Sequence, residues 1–97
     1  MTNKEFQPLV DNLLAKAKSI KFEDYVTAIS TIREFKNFVG QYSENLSQYV
    51  LEYIGTTEYK FKAARDTQSY KTWQSAMDDL LCDIASMKDE NKFSRYD

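Results

Sequence analysis

Ninety-seven residues, a formal charge of -2 and a single cysteine bound the chain to one domain with one modest core, since chains this short bury only about 60–70% of the surface they expose when unfolded. Two glycines and one proline supply too little turn chemistry for a many-stranded sheet, and the acidic balance argues against a surface that tracks a phosphate backbone throughout. The absence of histidine removes the commonest general base, the usual transition-metal ligand and every Ser-His or Cys-His nucleophile pair.

Met1 to Ser19 lacks the continuous apolar core of a signal peptide, and no apolar run approaches the roughly 20 residues of a membrane span. Cys82 has no intramolecular partner. The reading is a soluble cytoplasmic protein, one domain over residues 1–97, held together by packing.

Thr2 and Glu5 have the spacing of a capping box, but Pro8 would fall inside a helix begun there. The first helix is therefore placed from Pro8 to about Lys18, short, with Leu9, Val10, Leu13, Leu14 and Ala17 as its apolar stripe and Phe6 folding back to close its start. After a connector at Ser19 to Lys21, Phe22 to about Ile54 reads as helical for most of its length, and its stripe moves. Phe22, Tyr25, Val26 and Ile29 lie on one face. Ile32, Phe35, Val39, Tyr42, Leu46, Val50 and Tyr53 follow a face turned by roughly 100°. One long helix serving two neighbours explains the shift, and a break near Gly40 with Ser43 as a new cap is the other arrangement.

Gly55, Thr56 and Thr57 supply the clearest turn signal, so a hairpin corner is expected there. Residues 58–69 read as helix more readily than as a lone strand, with Thr67 as a possible cap for a fresh start. Tyr70, Trp73, Met77, Leu80, Ile84 and Met87 then recur with gaps of three and four, the stripe of an amphipathic helix, with Leu81 widening it and Trp73 taken as core. The tail from about residue 89 has no period and is expected to fray, with Phe93 and Tyr96 as possible anchors. The fold class is all-α, a small antiparallel helical bundle or a helical hairpin with a short N-terminal helix. Helices of roughly 30 residues would extend about 45 Å, too far for a short first helix to cover, so a homodimer is expected.

Three constellations stand out. Phe35, Phe38, Tyr42 and Tyr49 form an aromatic set that a three-helix monomer would find hard to cover, the mark of an interface; the alternative is that the first helix or the C-terminal tail covers them. Asp78, Asp79 and Asp83 charge one face of the last helix, suited to steering toward a basic partner. Tyr59, Lys60, Phe61, Lys62, Arg65 and Lys71 interleave cations with rings, as a surface for unpaired nucleic acid would. Cys82 falls opposite the stripe of its helix, and Asp79 and Asp83 disfavour its thiolate. No catalytic, cofactor or metal-ligand motif is present, and Trp73 is followed by Gln74 and Ser75 rather than by the glycine of the WXG hairpin proteins. The expected function is a non-enzymatic protein-binding module, a small inhibitor, immunity protein or adaptor that occupies a partner's surface; the alternative is a small nucleic-acid-binding protein.

Overall fold

The computed structural model describes residues 1–93, and of residues 53–55 only the backbone. It is all-α: α1 (Asn3–Lys18), α2 (Tyr25–Gln41), a 3-10 turn at Ser43–Asn45, α3 (Gln48–Thr67) and α4 (Tyr70–Ser86). Contacts that advance along one helix retreat along the next, so neighbours run antiparallel: Phe6 meets Phe38 and Lys16 meets Glu34, Tyr25 meets Ala64 and Lys36 meets Glu58, and Thr57 meets Asp83 while Phe61 meets Trp73. α4 packs back on α1, and just beyond its end Lys88 pairs with Asp11 of α1.

The first helix is neither short nor started by Pro8. Thr2 caps it, its hydroxyl oxygen accepting from the Glu5 N–H at 3.3 Å, and Asn3 opens the helix. Pro8 lies within it, with no N–H to offer the Lys4 carbonyl, at a place where both residues are exposed. The extra turn also places Phe6 in the core, fully buried, which offsets the proline.

The long second helix is two helices. Asp24 caps α2 by accepting from the Thr27 N–H, and the helix ends at Gln41. Gly40 sits inside it, exposed, with open space where a Cβ would be, so it does not mark the break. The chain turns through Ser43–Asn45, Leu46 forms an antiparallel bridge with Asn91, and Ser47 rather than Ser43 caps α3. The buried stripe of α2 is Ala28, Thr31, Ile32, Phe35 and Val39. The earlier face divides: Tyr25 packs against the core with its ring 5.1 Å from that of Trp73, whereas Val26 is 82% exposed and Phe22 half exposed.

The expected corner at Gly55 to Thr57 lies inside α3, where Thr57 is buried and bonded to Asp83. The real corner is thirteen residues beyond Gly55, at Gln68 and Ser69. Gln68 takes a left-handed conformation with φ 52°, at a cost of about 1–2 kcal/mol for a residue with a Cβ, and Ser69 caps α4. Residues 58–67 are helical, as preferred over a strand. The α4 stripe is buried from Trp73 to Met87, whereas Tyr70, at its first turn, is 61% exposed.

Beyond α4 the chain does not fray at residue 89. The Asn91 side-chain amide donates to the carbonyls of Met87 and Lys88, and Phe93 packs its ring 5.0 Å from that of Phe6. Tyr96 lies outside the described residues. The length argument for a second copy also falls away, since the longest helix has 20 residues, about 30 Å, and four helices cover one another within a single chain. No helix among the described residues is long and apolar enough to cross a membrane.

Candidate interaction surfaces

The aromatic set of α2 goes mostly inward. Phe35 is buried, and Phe38 and Tyr42 are half-buried against Phe6, with ring centroids 5.6 and 5.3 Å from its ring. Tyr42 also meets Phe93. The helix that begins five residues before Pro8 and the segment after α4 thus cover these rings together. Tyr49 behaves differently. It is the second residue of α3 and is 55% exposed.

The three aspartates of α4 separate by partner. Asp78 is exposed and accepts from the Gln74 amide at 3.4 Å. Asp79 pairs with Lys60 of α3, and Asp83 accepts from the buried Thr57 hydroxyl at 2.9 Å. With Tyr49, Thr56, Lys60 and the exposed Cys82, Asp79 and Asp83 line a groove of about 440 Å³ between α3 and α4. Among the described residues no group of three or more His, Cys, Asp or Glu side chains is placed to hold a metal ion.

Burial raises the Asp83 carboxyl above the ordinary aspartate value; the Thr57 bond opposes the rise and the Asp79 charge adds to it. Glu58 is held below its ordinary value, chiefly by the hydrogen bond from Lys36. The two carry opposite signs in stability. A carboxyl raised in the fold binds its proton more tightly there than in the unfolded chain, so Asp83 lowers stability as pH climbs from the ordinary value of 3.8 through the raised one. Glu58 contributes fully above its ordinary 4.5 and loses that contribution as pH falls through the lowered one. Asp83→Asn, which keeps an acceptor for Thr57, is therefore expected to raise the melting midpoint at neutral pH, with the gain vanishing below the ordinary aspartate value. Glu58→Gln is expected to lower the midpoint at neutral pH and to rejoin the parent in acid. Thermal melts across pH check both, and an unshifted Asp83→Asn midpoint at neutral pH would contradict the account.

The basic-aromatic segment is dispersed. Phe61 is fully buried with its ring 5.2 Å from Trp73, so it stacks on nothing outside. Lys60 is engaged by Asp79, Lys62 lies 3.9 Å from Glu58 and Arg65 lies 3.3 Å from Asp66. Tyr59, Lys62, Arg65 and Lys71 remain exposed.

One surface was not anticipated. Phe22, in the α1–α2 connection, meets Tyr70 edge-on at 5.1 Å and rests on Trp73 at 5.8 Å. Val26 follows one turn later. Both connections at this end contain a non-glycine residue of positive φ, Glu23 at 68° and Gln68 at 52°. The signal for this cluster was the moving stripe, whose first face carries Phe22 and Val26 to the surface while Tyr25 of the same face packs on Trp73.

Comparison of the chain with family models, with curated proteins and with solved structures finds no match. Its reading therefore stands on its own geometry.

Proposed function

We propose that the chain is a non-enzymatic protein-binding module, acting as an inhibitor, immunity protein or adaptor does by occupying a partner's surface, and that it presents the α3–α4 face. The observation that carries this is the fate of the aromatic residues: Phe35, Phe38 and Tyr42 are spent on the bundle, while Tyr49 stays 55% exposed beside the groove that Asp79 and Asp83 line. A large ring at the edge of a charged groove supplies desolvated contact area at low entropy cost, with the surrounding carboxylates setting partner choice. A lone exposed thiol fits a reducing compartment, and the cytoplasm is the proposed location.

The test is capture from lysate by the immobilised chain. Tyr49→Ala with Asp78→Ala is expected to lose the captured partner at unchanged melting temperature, because neither side chain is buried; undiminished capture would remove the reading. Nucleic acid is the second reading. It is favoured by Phe22 and Tyr70, whose exposed rings lie next in sequence to the exposed Lys21 and Lys71, a combination that suits stacking on unpaired bases. Oligonucleotide binding that weakens steeply with salt and disappears on Lys71→Glu with Phe22→Ser would select it instead.

A further inference from the structure

The charge of the chain is sorted by end. Residues 12–33 and 58–77 are the halves of the four helices that meet at the two connections joined by the Phe22–Tyr70 ring contact, and they hold eight Lys and Arg against four Asp and Glu. The remainder holds five against eleven. The small net charge of -2 is therefore the balance of a basic end and an acidic one. At the basic end the cations are also the freer groups: Lys18, Lys21 and Lys71 are exposed and make no ion pair among the described residues, whereas Asp24 accepts from Thr27 with both carboxylate oxygens and Asp66 lies 3.3 Å from Arg65. The same end carries Phe22, Val26 and Tyr70, three of the large apolar side chains that the fold leaves exposed.

We propose that this end docks on an anionic lipid surface, with Phe22, Val26 and Tyr70 entering the headgroup region and the lysines around them meeting lipid phosphates and carboxylates. The proposal is independent of the α3–α4 reading. Rings and an aliphatic side chain set among lysines make up the composition of a membrane-interface contact, and the field of an anionic leaflet draws the basic end in while turning the acidic end out. A second copy is a poor occupant. It would set lysine against lysine over three apolar side chains, where a stable interface uses about 20–30 residues a side. Unpaired bases also fit less well, because Val26, the most exposed of the three, has no ring to stack.

Sedimentation of the whole chain with vesicles of phosphatidylserine and phosphatidylcholine in equal parts tests this, with pure phosphatidylcholine as control. The expected result is saturable binding to the mixed vesicles alone, released by added salt and accompanied by a change in the emission of Trp73, whose ring lies 5.8 Å from that of Phe22. Lys21→Glu with Lys71→Glu should abolish it. Lys4→Glu with Lys92→Glu makes the same change of net charge on exposed residues outside the basic end and should leave binding unaltered. Val26→Ser with Tyr70→Ser removes exposed apolar surface at constant charge and should weaken binding about tenfold, the scale of returning one partly inserted apolar side chain to water. Equal loss in the two lysine variants would mean diffuse attraction and overturn the proposal, as would binding indifferent to Val26→Ser with Tyr70→Ser. So would failure to sediment, including the case in which oligothymidylate or an oligo-glutamate peptide changes the Trp73 emission and vesicles do not.

Discussion

Phe6→Ala is expected to destabilise the fold by about 3–5 kcal/mol, the usual range for truncating a buried aromatic residue. Phe6 is fully buried, and its ring lies within 5.6 Å of the rings of Phe38, Tyr42 and Phe93. These come from α2, its C-terminal end and the segment beyond α4, so one truncation empties the point where three parts of the chain meet. No single neighbour can fill that space, because each is anchored on a different element. Against a total stability of about 5–15 kcal/mol for a domain of this kind, the loss lowers the melting midpoint by tens of degrees. Phe6→Leu keeps most of the volume and is expected to cost much less. Denaturant titration checks both, and a Phe6→Ala midpoint close to that of the parent would show that the cluster does not hold the bundle.

Trp73→Ala is expected to cost a similar amount at the other end. Trp73 is the chain's single tryptophan and receives three rings edge-on: Tyr25 at 5.1 Å, Phe61 at 5.2 Å and Phe22 at 5.8 Å. Edge-to-face pairs contribute about 0.5–1.5 kcal/mol each beyond the area they bury, so the indole is worth more than its apolar surface alone. Circular dichroism melts measure the loss, since the natural fluorophore is gone in the variant. Trp73→Phe should recover part of it. A Trp73→Ala protein that melts like its parent would mean that the three rings repack without the indole.

The all-α class and the α4 stripe were legible because both follow from local rules: few turn residues, and apolar side chains repeating at three and four. Trp73, Met77, Leu80, Ile84 and Met87 are buried as that spacing requires. The boundaries were less legible, each for its own reason. At Pro8 a local penalty was weighed without the tertiary gain of burying Phe6. At Gly55 the strongest turn former of the chain sits inside a helix, because Thr57 beside it finds a partner in Asp83 that no local rule reveals. At Gln68 the turn is made by a residue with no turn signature, which takes its left-handed conformation where the packing of α3 on α4 demands reversal.

The candidate surface was legible in part. Asp78, Asp79 and Asp83 were identified as a charged face of the last helix and Tyr49 as one ring of an aromatic set at the edge of the core-facing stripe; the structure places Tyr49, Asp79 and Asp83 round one groove with Thr56, Lys60 and Cys82. Of the two readings of Phe38 and Tyr42, interface or cover by the first helix or the tail, the structure shows the second: Phe6 of α1 and Phe93 supply the cover. Phe22 and Val26 were counted as core because apolar residues at helical spacing ordinarily are.

The closing of α4 and the residues just beyond it back on α1, through Asp11 and Lys88 and through Phe6 and Phe93, has a thermodynamic consequence. In a linear stack a terminal helix can detach by giving up one interface, and partly unfolded forms accumulate. In a closed ring of four, each helix has two neighbours, so the departure of any one opens two interfaces and exposes rings on both sides. Partial structures are then scarcely better than none. The bundle is built to unfold all at once, in a single sharp transition.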